Sequence, residues 1–102
     1  MMNLTKVVSE QRRLAILRTL SELSFHLNED VILQALNEMS LAGVSKDLVR
    51  ADMTFLAEHG LIRIEEMRKA NGELWIAHLL VAGKEVANGR THVGVAQRQP
   101  DC

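Results

Sequence analysis

The sequence predicts a mainly α domain with a small β-hairpin, built from a three-helix core, a two- to three-stranded sheet and a short C-terminal helix. Three observations predict it. Asn28 and Ser45 are good N-caps, and each opens an apolar stripe of helical spacing. Gly60 then interrupts the second stripe, and the period changes from 3.6 to 2 over Leu61-Ile62-Arg63-Ile64-Glu65. The pair Asn71-Gly72 follows between two alternating segments, a strong short-range hairpin signal.

The first helix is expected to begin between Val8 and Glu10, with Ser9 as its cap. Leu14, Ile16, Leu17, Leu20 and Leu23 supply its buried side, and Arg12, Arg13, Thr19 and Glu22 its wet side. Ser24-Phe25-His26-Leu27 is too short for a helix and suits a small edge strand paired with the later hairpin. The second helix, over residues 28–42, opens at Asn28. Glu29 and Asp30 sit in its first turn, where the helix dipole favours anions, and Leu27 is placed to staple onto Ile32. Ile32, Ala35, Leu36 and Met39 form its stripe, and Gly43 marks its exit.

The third helix spans 45–59. Val49, Met53 and Leu56 form its buried face, widened by Leu48 and Phe55, and Lys46, Asp47, Arg50 and Thr54 lie on the other side. Only a tight turn separates it from the second helix. Strands over 61–67 and 73–79 then flank a turn at Asn71-Gly72, with Arg68 and Lys69 near the tip. Leu80 to Gly89 reads as a short fourth helix, in which Gly83 costs about 1 kcal/mol relative to Ala. Residues 1–89 are therefore read as one domain and residues 90–102, which lack periodicity, as a flexible tail.

With 102 residues, 47% of them hydrophobic, there is room for one core. A chain of this size buries roughly 60–70% of its unfolded surface, and a homodimer interface would add to that. The single cysteine, Cys102, excludes an intrachain disulfide and any cysteine-based metal site. No long apolar run or cleavage site is present, so a soluble, cytoplasmic protein without a membrane partner is expected.

The net charge of −1 argues against a chain that is basic all over. Basic charge is local: residues 1–22 hold four Lys/Arg against two acids, residues 23–43 none against three, and residues 81–102 three against two. His26, His59, His78 and His92 are scattered without metal-ligand spacing, so no metal or other cofactor is expected. There is no nucleophile elbow, no phosphate-binding glycine loop and no helical zinc motif, and Glu65 and Glu66 point to opposite sides of a strand. No enzyme is indicated.

The passage Val49-Arg50-Ala51-Asp52-Met53-Thr54-Phe55-Leu56-Ala57-Glu58-His59-Gly60-Leu61-Ile62 resembles the recognition-helix-to-wing stretch of winged helix-turn-helix regulators. Leu79-Leu80-Val81-Ala82-Gly83-Lys84-Glu85-Val86-Ala87-Asn88-Gly89 resembles their stretch after the wing. Together with Arg12-Arg13-Leu14-Ala15-Ile16-Leu17-Arg18, the chain is most similar to small winged-helix proteins of Mu-like transposable phages and prophages, over roughly residues 8–89. The resemblance implies a transcriptional regulator that binds double-stranded DNA, usually as a dimer, with the third helix in the major groove and the wing on the backbone or minor groove.

The residues carried into that role are Lys46, Asp47, Arg50, Thr54, Arg68, Lys69 and Arg12. Arg50 is placed for a bidentate contact to guanine, against a solvated residue or an i, i+3 ion pair with Asp47. Arg68 and Lys69 suit phosphates, against simple solubilising charge. Arg12, with Arg13 and Arg18, suits a phosphate contact or a wet helix face. Trp75 is read as packing. Because Asp47, Asp52 and Glu58 outnumber Lys46 and Arg50 on the third helix, the alternative is a winged helix that binds protein rather than DNA.

Overall fold

A computed structural model describes residues 3–39 and 43–98. Along them the order is α1 (Leu4–Leu23), β1 (His26–Asn28), α2 (Glu29–Glu38), α3 (Lys46–Glu58), β2 (Ile62–Lys69), β3 (Gly72–Leu79) and α4 (Val81–Ala87). The described residues thus form four helices and a three-stranded antiparallel sheet in the order β1-β3-β2. No helix among them is long and apolar enough to cross a membrane.

Local hydrogen bonds fix the helix starts. Asn28 Oδ1 accepts from the Val31 N–H at 3.0 Å, and Ser45 Oγ accepts from Leu48 N–H at 3.2 Å, as their positions predict. The first helix starts earlier than expected. Asn3, not Ser9, is its N-cap, its side chain accepting from Lys6 N–H at 3.2 Å, while Ser9 lies within the helix. Residues 40–42, the expected end of the second helix, lie outside the described residues, and Met39 already has a C-cap conformation.

One core cluster joins the elements. Leu14, Ile16, Leu17 and Leu20 of α1 meet Ile32 and Leu36 of α2, Val49, Met53 and Leu56 of α3, Ile62 and Ala77 of the sheet, and Val86 and Ala87 of α4. Each large side chain so buried contributes roughly 1.5–3 kcal/mol. Three apolar residues expected inside are outside: Leu23 is 63% exposed, Met39 49% and Leu48 38%. Two polar residues expected outside are inside. Thr19 is buried because its hydroxyl donates to the Ala15 carbonyl at 2.7 Å, which satisfies it within its own helix. Arg12 is buried because a carboxylate on α3 receives it.

The predicted edge strand is present, with Leu27 opposite Ala77 on the central strand. Phe25, at a φ of 64°, turns the chain out of α1, and its carbonyl accepts from Leu79 N–H at 2.7 Å to begin the ladder. Gly60 has the left-handed φ, 72°, expected where α3 ends. The hairpin turns one residue earlier than expected. Lys69 pairs with Gly72, so Ala70 and Asn71 form the turn. Neither has a positive φ, and Gly72, at 127°, takes the unusual backbone instead. A primed turn would need positive φ at its first central residue, here Ala70, which disfavours alanine.

Gly83 also reads differently in three dimensions. A Cβ there would run into the backbone carbonyl of Leu61, so the glycine lets α4 close against the start of the hairpin. The stretch expected to be a tail packs back onto the domain as far as residue 98. Val95 is 6% exposed, and Ala96 N–H donates to the Glu10 carbonyl at 3.1 Å. The remainder of that tail, residues 99–102, lies outside the described residues.

Candidate functional site

The polar face of α3 and the hairpin beside it contain all the residues predicted for binding except Arg12, which lies on α1. Lys46, Asp47 and Thr54 are exposed on the helix, and the Thr54 hydroxyl donates to the Arg50 carbonyl at 2.9 Å. Lys46 Nζ lies 3.6 Å from Asp30 Oδ1, with both side chains about half exposed. Such a pair is worth little. Arg68 and Lys69 are exposed at the hairpin tip and make no ion pair among the described residues. The two are not interchangeable. The register places Arg68 on the face of β2 that carries Ile62 and Ile64, directly opposite Glu73, whereas Lys69 lies on the back.

Arg50 is not a free reader of bases, nor does it pair with Asp47. Its Nε donates to Glu29 Oε1 at 2.6 Å, and its Nη2 donates to Glu29 Oε2 at 2.8 Å and to the Glu73 carbonyl at 2.9 Å. The guanidinium stands 4.5 Å from the centre of the Trp75 ring. A bidentate guanine contact through Nε and Nη2 would leave Glu29 charged, buried and unpaired, a large penalty.

Glu29 completes the edge of the sheet. β1 stops at Asn28, opposite Ile76, and the next backbone donor on β3 is Trp75 N–H. Glu29 Oε2 accepts it at 2.7 Å. Together the carboxylate and the guanidinium cap one donor and one acceptor of β3 where a longer β1 would have done so. Glu29 has no exposed surface, and its burial alone would raise its pKa. The hydrogen bonds from Arg50 and Trp75 and the charges of Arg50 and Lys46 outweigh that burial and hold the carboxyl below its ordinary value of 4.5. Arg50 is correspondingly raised, chiefly by its hydrogen bonds to Glu29.

A second buried carboxylate accounts for Arg12. Asp52, 1% exposed on the inner side of α3, accepts from Arg12 Nε, from Arg12 Nη2 at 3.3 Å and from Arg13 Nε at 3.2 Å. Arg13 also donates to the Gly94 carbonyl at 2.9 Å and lies over the Phe55 ring at 3.9 Å. This network ties α1, α3 and the C-terminal segment together. It turns Arg12 away from any ligand on the α3 surface.

Sequence reasoning missed both Glu29 and Asp52. The histidines fall into two neighbouring pairs: the His26 and His78 rings stack at 5.8 Å, and His59 and His92 meet edge-on at 5.1 Å.

No protein-family model matches the chain. It is 34% identical over 95 residues to an uncharacterized protein, gp26, of Escherichia phage Mu, across 92% of this chain and 94% of that one. It is also 34% identical over 67 residues to an uncharacterized protein of Haemophilus influenzae strain Rd, across 66% and 65% of the two. The first of these relatives agrees with the resemblance to proteins of Mu-like phages. At that identity, and with nearly the whole of both proteins aligned, the chain belongs to the family of the phage Mu protein gp26.

Proposed function

We propose that this chain is a DNA-binding winged-helix protein and a transcriptional regulator of a Mu-like phage or prophage. The observation that carries the reading is the passage of α3 through Gly60 into a hairpin of two eight-residue strands, with Lys46 and Thr54 exposed on the helix and Arg68 and Lys69 unengaged at the tip. In that reading α3 enters the major groove, and the hairpin lies on the phosphates as the wing.

Arg12 drops out as a phosphate ligand because Asp52 already neutralises it. Lys46, Arg68 and Lys69 remain as phosphate ligands, and log affinity should fall with log salt at a slope of about −2 to −3 for one protomer, and twice that for a pair. Titration of the chain into labelled duplex DNA from around its own gene, at several salt concentrations, tests this. Removing both Arg68 and Lys69 should flatten the slope and weaken all sequences alike. Absence of binding even at low salt would refute the regulator reading.

A protein-binding role is the second reading. It is favoured by the apolar side chains at the start of α1, where Leu4 and Val8 are 68% and 51% exposed beside Leu48. Stable self-association or protein capture that depends on Leu4 and Val8, without DNA binding, would favour it over the first.

A further inference from the structure

A buried, ionised carboxylate holds a guanidinium that is itself partly open to solvent. The Arg50 side chain is 31% exposed while Glu29 is fully enclosed. Nε and Nη2 of Arg50 are engaged by Glu29 and the Glu73 carbonyl, and the Trp75 ring backs the plane. Nη1 has no hydrogen-bond partner among the described residues. Nor is it one of their buried unpartnered side-chain atoms, which are Arg18 Nε and Trp75 Nε1. Nη1 is therefore not enclosed, and it belongs to a residue one helical turn from both Lys46 and Thr54 on the polar side of α3.

We propose that Glu29 is a positioning residue for DNA recognition: it fixes Arg50 so that Nη1 donates to a single acceptor on a base edge. The inference rests on the DNA-binding reading above. An arginine that swings freely loses much side-chain freedom when it meets DNA, whereas one already clamped at two nitrogens and stacked on a ring loses little. The clamp also restricts what Arg50 can read. With one nitrogen available, it contacts one acceptor rather than gripping both acceptors of guanine. Because Glu29 cancels most of the guanidinium charge, the contact contributes direction and selectivity rather than general attraction to phosphate.

Simple electrostatics predicts the opposite sign for the key variant. Glu29→Gln removes a negative charge beside the binding face and, by charge alone, should tighten binding to all DNA. Under this proposal it loosens Arg50, so discrimination falls.

The test uses the full chain, a duplex selected by the wild-type protein from a random pool, and an unselected duplex of equal length. Glu29→Gln and Arg50→Lys should each lower the ratio of the two affinities about tenfold, with binding to the unselected duplex held within about twofold. Combining them should lower the ratio no further, because both act on one contact. Replacing the guanines of the selected duplex by 7-deazaguanine, and separately its phosphates by methylphosphonates, locates the acceptor. A phosphate acceptor would overturn the base-edge assignment. Amide exchange at Trp75 should quicken in Glu29→Gln without any DNA present, and Arg50→Lys supplies the second measurement where Glu29→Gln does not fold. An unchanged or increased ratio in the variants, with the wild type discriminating normally, overturns this inference alone. A wild type that binds no DNA overturns the DNA-binding reading and this contact with it.

Discussion

Replacing Gly83 with alanine opposes two physical effects of known sign. In an isolated helix the change is favourable by about 1 kcal/mol, since glycine loses more backbone entropy on folding and leaves its helix less shielded. Here the added methyl would point at the carbonyl of Leu61 and at Leu79 Cδ1. Leu79 can change rotamer. The Leu61 carbonyl cannot move as cheaply, because it accepts from Leu80 N–H at 3.1 Å while Leu61 N–H donates to Leu56 at 2.9 Å. Either hydrogen bond must lengthen, or α4 must back away from Leu61 and loosen Val86 and Ala87 in the core. Forced overpacking of this kind costs roughly 1–3 kcal/mol, and an obstruction made of backbone belongs to the upper part of that range. After the gain in helix propensity, Gly83→Ala should destabilise the domain by about 1–2 kcal/mol. Urea unfolding followed by the fluorescence of the single tryptophan gives the number, with a lowered midpoint and an unchanged slope expected. A raised midpoint would mean that α4 does not sit against Leu61 as described.

Leu56→Ala, at a position with no exposed surface, should cost roughly 2–5 kcal/mol, while exposed Thr54→Ala should stay within about 0.5 kcal/mol; similar unfolding midpoints for the two would show the faces of α3 to be misassigned. Asp52→Ala leaves Arg12 buried without its partner and should cost about 3–5 kcal/mol, and an effect below about 1 kcal/mol in the same assay would mean that Arg12 reaches water once released. Acid should act partly through Glu29. Its folded pKa lies below its unfolded one, so the unfolded chain takes up the proton first, and stability that is complete above the ordinary value of 4.5 is lost as pH falls through the folded value. Unfolding midpoints measured from neutral pH down to about 3 should therefore decline less steeply in Glu29→Gln than in the wild type, and parallel declines would remove Glu29 from the acid response.

Features of the fold that depend on neighbours within a few residues were legible in the sequence. Asn28 and Ser45 cap because a short side-chain oxygen reaches an amide three residues on, whatever the rest of the chain does. Gly60 ends α3 for an equally local reason. Features that depend on distant partners were not legible. Asn3 has the same capping chemistry as Asn28, but the turn it opens carries Leu4 and Val8 facing solvent, so no buried stripe marks it as helix. Gly83 looks like a weakness in a helix until Leu61 is brought against it. The C-terminal stretch has no periodicity because it is held by single contacts, Val95 in the core and Ala96 on the Glu10 carbonyl, rather than by a regular element.

For the candidate site, the two buried carboxylates differ in how far they could have been foreseen. Asp52 stands three residues after Val49 and four before Leu56, both fully buried, so helical spacing alone puts it on the apolar side of α3. A carboxylate there demands a cation. Arg12 stands four residues before Ile16 on the inner side of α1, which makes it a natural candidate. Glu29 gave no such signal. In the first turn of α2 it reads as a dipole-complementing surface acid, and only the early end of β1 exposes the β3 amide that draws it inward. Arg50 then follows Glu29, since a buried carboxylate with one amide partner still needs a charge. Counting charges along α3 therefore misjudges its surface in both directions, since Asp52 subtracts nothing from the outer face and Arg50 adds little to it. What that face offers a polyanion depends on Lys46 and on a hairpin whose two tip cations, Arg68 and Lys69, point to opposite sides of the sheet.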